Sequence, residues 1–282
     1  MPVFRRLCCL LALTAAAALI APTAAVATPA GARRIVTLVP SLAEDLYAIG
    51  AGAQVVGVSA YSDYPAAARA LPVVAGFATI STERILALHP DVVVGIVAQA
   101  RLTDDLRRAG IRVVLLRDDS LADLDQNLRA LGALSGRGAA ADALLARLRA
   151  RTAALTRTVR ARRRRPTVFV VLGTAPIFTV GQGSYIARLI ELAGGANAAG
   201  DLRVPYGRYS GEALLASQPD VLVVDPAVRF GEVLSGAPWN ALRAVREHRV
   251  STLPDAAILE RPGPRYNEGL AWLIDTLNHL AS

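Results

Sequence analysis

The segment "ERILALHPDVVV" at residues 83–94 returns as "EALLASQPDVLV" at residues 212–223, with seven of the twelve positions identical. In each copy a helical stretch opens on a glutamate, stops at a proline and runs straight into a β-branched strand, since proline disfavours helix in the residue before it. A chain that repeats a helix-to-strand unit is built of two similar halves. At 282 residues it has room for two lobes, each burying its own core. Duplication of a stable unit accounts for the apolar matches. It does not account for Glu83 and Glu212, which fall at corresponding points of the two halves.

The remainder of the chain fits the same plan. Short β-branched runs at 35–39, 55–58, 92–97, 111–116, 168–172 and 221–224 are mostly followed by helical patterns, the signature of parallel βα units in an α/β fold. In "PSLAEDLYAIGAG", Ser41 and Glu44 have capping-box spacing and Gly50 supplies a left-handed stop. From Ala139 to Val159 there is no glycine or proline, and Leu144, Leu148, Leu155 and Val159 share one helical face. The expected organisation is an N-terminal lobe over 33–136, a connecting helix over 137–165 and a C-terminal lobe over 166–282. Two Rossmann-like lobes are thus joined by one helix about 30 Å long, a brace that opposes large hinge motion. The cluster "RARRRRP" falls at the end of this helical pattern, where cations suit the negative end of the helix dipole.

Residues 1–27 read differently. Arg5 and Arg6 precede an apolar run from Leu7 to Ile20 and small residues at Ala25 and Ala27, the layout of a signal peptide cleaved after Ala27. Both cysteines, Cys8 and Cys9, lie inside it, so the mature chain has no disulfide or thiol chemistry. After residue 27 no apolar run approaches the roughly 20 residues of a membrane span, and a free periplasmic protein is expected. All 31 basic residues are arginine, yet an exported protein seldom meets nucleic acid, and none is expected as a partner.

Aromatic residues make up only 5% of the chain, so their placement is informative. Tyr61 and Tyr64 follow the second strand, Phe77 lies in "AGFATI", Phe178 in "APIFTVG", and Tyr206 in a loop flanked by proline and glycine. Singly, each reads as core filler or loop cover. Five in predicted loops of both halves favour a lined cleft for a flat ligand. His89, His248 and His279 are scattered and suggest no metal cluster. "GVSAY" lacks the second glycine of a nucleophile elbow, and "GQGSYI" is an incomplete dinucleotide loop. An exported hydrolase or transferase is the alternative outside the binding proteins.

The succession "RIVTLVPSLAEDLYAIGA", "VVGVSAYSDYP", "ERILALHPDVVVG", long helix, "APIFTVGQGSYIARLIELAGGAN" and "EALLASQPDVLVV" resembles the substrate-binding proteins of ABC importers for cobalamin, haem and iron siderophores. This is the class III periplasmic binding protein fold, and the resemblance covers nearly all of 33–280. "AYSDYP", "RVPY" and "ERPGPR" are most similar to its cobalamin-binding branch. The resemblance implies a monomeric carrier, not an enzyme, with no catalytic residues, resident cofactor or metal. It would capture a corrinoid between its lobes, with haem or a ferric siderophore as the alternative. It implies ligand contacts from Tyr61, Phe77, Phe178 and Tyr206, with Tyr64 beside them in the same loop. Either Tyr61 or Tyr64 would ligate iron if the ligand were haem. Arg261 matches a polar contact that would pair with an anionic phosphate. Glu83 and Glu212 would dock into arginine pockets of an ABC permease dimer that works with a cytoplasmic ATPase. Two departures stand out. Ile96 replaces a cleft tryptophan of the cobalamin branch, and the longer "PDAAILERPGPR" leaves Asp255 without an assigned role.

Overall fold

The computed structural model describes residues 31–76 and 78–280; the expected signal peptide and Phe77 lie outside the described residues. In the N-terminal lobe β1 (Ile35–Thr37), β2 (Val55–Ser59), β3 (Val73–Ala75), β4 (Val92–Ile96) and β5 (Val113–Leu116) form one parallel sheet in the order β3-β2-β1-β4-β5. The helices α1 (Pro40–Ala48), α2 (Thr82–Ala87), α3 (Asp104–Arg108) and α4 (Leu121–Ser135) connect or flank it. Strand order reverses between β1 and β4, and such a reversal leaves a crevice outside the carboxyl ends of the strands.

The start of α1 differs from expectation. Pro40 opens the helix, Val39 is the N-cap, and Ser41 makes no capping hydrogen bond. Proline at the first helical position is pre-set for helix and carries no N–H to be capped. The box is absent, and Glu44 is left to bond elsewhere. Gly50 does close the element, at φ 77°.

Helix α5 (Gly138–Thr156) crosses to the second lobe. Leu144 and Leu148 are buried, and Leu155 and Val159 pack half-buried on the same core. That core is continuous from Ile35 and Val92 in the first sheet, through Leu128 and Leu145 in α4 and α5, to Tyr185, Val223 and Leu273 in the second lobe. The helix stops at Thr156, short of the arginine cluster, and the reason lies in what those arginines bind. Arg160 and Arg162 donate to the carbonyls of Asn278 and Leu277, and Arg165 donates to the Gly195 carbonyl. They cap ends of other elements rather than their own helix.

The second lobe contains β6 (Thr167–Val171), β7 (Gly173–Thr174), β8 (Ile177–Val180), α6 (Tyr185–Leu192), β9 (Ala196–Asn197), β10 (Tyr206–Arg208), α7 (Gly211–Ser217), β11 (Val221–Val224), α8 (Phe230–Val233), α9 (Arg243–Arg246), β12 (Val250–Thr252), α10 (Ala257–Glu260) and α11 (Tyr266–Leu280). Its parallel sheet runs β12-β11-β6-β9, so the order reverses between β6 and β11, and β10-β8-β7 form a small antiparallel sheet beside it.

The repeat is a structural repeat. Ser81 and Ser210 cap α2 and α7 by accepting from Arg84 N and Ala213 N, at 3.3 and 3.0 Å. His89 and Gln218 take left-handed backbone at φ 44° and 40°. Asp91 accepts from the Arg33 and Arg34 amides at the start of β1, and Asp220 accepts from the Thr167 amide at the start of β6. In each half the aspartate after the proline pins the neighbouring strand.

Candidate functional site

Between the lobes lies a cleft of about 640 Å³. The first lobe supplies the segments that leave three adjacent strands: Leu38 to Pro40 after β1, Ser59 to Tyr61 after β2, and Ile96 to Leu102 after β4. From the second lobe come Ala256, Ala257, Glu260 and Arg261. The site therefore sits at the switch point of the first sheet. Buried Gln99 fixes that point, donating to the Leu38 carbonyl at 3.2 Å and accepting from the Ile96 amide at 3.1 Å. Nothing in sequence singles out this glutamine except its distance of three residues from the end of a strand.

The structure brings some of the expected site residues together and separates others. Tyr61 lines the cleft on left-handed backbone, φ 70°, and is 74% exposed. A tyrosine in that conformation is strained, and here the strain turns a large ring towards the opening. Ile96 lines the same wall. Tyr206, on β10, is largely buried, and burial pushes its hydroxyl far above the ordinary tyrosine range, helped by the charges of Asp118, Asp119 and Glu260. Like Phe178, it does not line the 640 Å³ cavity. Phe178, on β8, is 38% exposed but does not line the 640 Å³ cavity.

Tyr64 sits apart from the cleft lining. Its ring lies 4.3 Å under the Arg265 guanidinium and borders a separate groove of about 370 Å³ with Glu44, Tyr47 and Glu268. Cation–π stacking on Arg265 holds it out of the cleft. Asp255 acquires a role in the same seam, accepting from Ala257 N at 2.9 Å and pairing with Arg265 at 2.8 Å.

Arg261 lines the cleft, but its charge is already engaged. Nη1 donates to Glu44 Oε1 at 2.9 Å and to Asp63 Oδ1 at 2.6 Å, bridging the second lobe to the first. Glu44 is nearly inaccessible, and burial raises its carboxyl above the usual range despite Arg261. The Arg261 hydrogen bond draws Asp63 down instead. Two carboxylates therefore hold this arginine.

Sequence reasoning passed over Glu260, which lines the cleft, and two acids that follow strands, Asp118 and Asp225. Burial and Asp225 push Glu260 up to about 8. Asp118 rises to about 6 through burial and the neighbouring Asp119 and Asp123. Asp225 immediately follows β11 and Asp118 follows β5 after one intervening residue, and an acid just past the carboxyl end of a parallel strand was the available signal. Among the described residues no group of three or more His, Cys, Asp or Glu is arranged to hold a metal ion.

Glu83 and Glu212 are both exposed, each in the first turn of its helix.

Two α/β lobes with parallel sheets, a connecting helix and a ligand-sized cleft at the switch point define an extracytoplasmic solute-binding protein. The model of the periplasmic binding protein family matches residues 35–257, and the chain belongs to that family. A vitamin B12-binding protein of Vibrio cholerae serotype O1 is 34% identical over 245 residues, 85% of this chain and 87% of the relative. The crystal structure of the periplasmic vitamin B12 binding protein BtuF of Vibrio cholerae superposes with a TM-score of 0.77 at 31% identity, covering 90% of this chain and 100% of that one. The periplasmic heme-binding protein RhuT from Roseiflexus sp. RS-1, in apo form, gives 0.78 at 30% identity, covering 89% and 100%. As a member of this family the chain is a binder of solutes, not an enzyme, and acts outside the cytoplasm.

Proposed function

We propose that this chain captures a corrinoid, cobalamin or a related cobamide, in the interlobe cleft and delivers it to an ABC permease dimer in the cytoplasmic membrane. The carrying observation is the cleft itself: about 640 Å³, apolar along the first lobe, with Tyr61 at its opening, in a chain 34% identical to a vitamin B12-binding protein. A flat macrocycle lies against the apolar wall, and Tyr61 and Tyr206 supply the aromatic faces. Phe178 extends this surface, and Phe77 serves as a further ligand contact. The chain works as a monomer, free in the periplasm after removal of residues 1–27. Glu83 and Glu212 dock one lobe each onto the two permease subunits.

Haem is the second reading, supported by the likeness to a haem-binding protein at 30% identity and by an exposed tyrosine, Tyr61, available to iron. Equilibrium dialysis against cyanocobalamin, cobinamide, haemin and a ferric hydroxamate separates them. Retention of cyanocobalamin and cobinamide is expected; retention of haemin or the hydroxamate alone removes the corrinoid reading.

A further inference from the structure

Two side chains lining the cleft carry charge, Glu260 and Arg261. Arg261 offers an incoming anion little, because Glu44 and Asp63 already outweigh its charge. Glu260 is in the opposite situation. Its Oε1 is sealed from solvent, and no N–H or O–H among the described residues reaches it. The group in hydrogen-bonding contact with Glu260 is the Asp225 carboxyl, at the end of β11 where the second sheet reverses its strand order. Two carboxyls bring four acceptor oxygens and at most two protons, so the pair has more acceptors than donors. Burial pushes Glu260 up to about 8. From the facing lobe Asp118 and Asp119 act on the same tyrosine, Tyr206, that Glu260 does. Of these acids Glu260 is the one that lines the cleft.

We infer that Glu260 and Asp225 make the cleft select its ligand by hydrogen-bond donors, admitting carboxamide arms beside Glu260 and rejecting carboxylate arms. This rests on the cleft being the ligand site. An amide NH₂ donates to the carboxyl pair, whereas a carboxylate brings only acceptors and a negative charge into a partly buried place. A corrinoid edged with amides satisfies the wall, and haem with its two propionates opposes it.

Calorimetry with two matched pairs of probes tests the inference: cyanocobalamin against its isomeric monocarboxylic acids, and haem bis-amide against haemin. At least one corrinoid acid should bind about tenfold or more weakly than its parent, and haemin similarly more weakly than the bis-amide. Glu260→Gln and Asp225→Asn should narrow both gaps. Equal binding within both pairs, or gaps unchanged in both variants, overturns the inference. If cyanocobalamin binds and all its acids bind equally, the inference falls and the corrinoid reading stands. If cyanocobalamin fails while the bis-amide outcompetes haemin, the corrinoid reading falls and the inference stands. No binding by any probe overturns both.

Discussion

At the scale of single residues, the cleft owes its character to groups whose surroundings differ from those their types suggest. Tyr61 and Tyr64 are three apart in one loop, yet the first opens onto the cleft and the second stacks on Arg265. Tyr61→Ala should therefore weaken corrinoid binding by about 1–3 kcal/mol, the scale of losing a large aromatic contact. Tyr64→Ala should leave affinity unchanged. Titration of both variants checks this, and an equal loss from both would return Tyr64 to the site. Glu260 carries a second expectation. Its folded pKa of about 8 lies above the ordinary 4.5, so the folded chain holds this proton more tightly than the unfolded one. Ionising it in place costs stability, which is highest at or below the unfolded pKa and declines as pH rises towards the folded one. Asp118, raised to about 6, adds to the same slope. Melting temperature of the ligand-free protein should fall between about pH 5 and about pH 8, and Glu260→Gln should flatten the fall. An unchanged slope in the variant would mean that the Glu260 carboxyl is well solvated.

At the scale of elements, the repeat was legible because its parts are local. Serine cap, glutamate, helix, proline and β-branched strand are short-range signals, and the six predicted strands all form, at 35–37, 55–59, 92–96, 113–116, 167–171 and 221–224. What stayed illegible depends on partners distant in sequence. Asp91 and Asp220 look like turn residues, but Asp91 holds the two residues leading into β1 and Asp220 holds the first residue of β6, and Asp220 also pairs with Arg164 and Arg243. The Arg164 hydrogen bond above all draws its carboxyl well below the usual range. The missing capping box at Ser41 and the early end of α5 have the same cause, since Glu44 and the arginine cluster are claimed by other elements. At the cleft, Tyr61 lies in the loop expected of it, whereas Phe178 and Tyr206, expected in loops, lie on strands, and Gln99 and Glu260 needed the sheet order. Glu83 and Glu212 differ from the strand-pinning aspartates in being exposed. Glu83→Ala and Glu212→Ala should leave melting temperature and ligand affinity nearly unchanged, as exposed single charges contribute little. Capture of the cognate permease should weaken with each change and more with both, and reversal to arginine should be worse than alanine. A double alanine variant that is captured normally would leave duplication of a folding unit as the whole explanation of the repeat.

At the scale of the whole molecule, two attachments hold the lobes in register. One is the shared apolar core that passes through α5 to α11, tightened where Thr152 meets Tyr266 and Asn267 at 2.7 and 2.9 Å. The other is the ionic seam below the cleft, where Arg261 reaches from the end of α10 to Glu44 and Asp63. The Asp63 pair is half exposed and contributes little by itself. The Glu44 pair is different, because its carboxylate is 1% exposed and its Oε2 has no hydrogen-bond partner among the described residues. Removing the arginine strands a buried charge. Arg261→Met in the ligand-free protein should therefore cost about 3–5 kcal/mol of unfolding free energy near neutral pH, and Glu44→Gln in the same chain should recover most of it. The pH dependence has a definite sign. Burial already raises Glu44, and loss of Arg261 raises it further, so the deficit is present above the ordinary glutamate range and shrinks as acid protonates Glu44. Denaturant unfolding of the wild type, both single variants and the double variant at neutral and at mildly acidic pH reads the coupling directly. If the single losses simply add, or the Arg261→Met deficit is the same at both pH values, the apolar core alone holds the lobes and the seam is a surface ion pair.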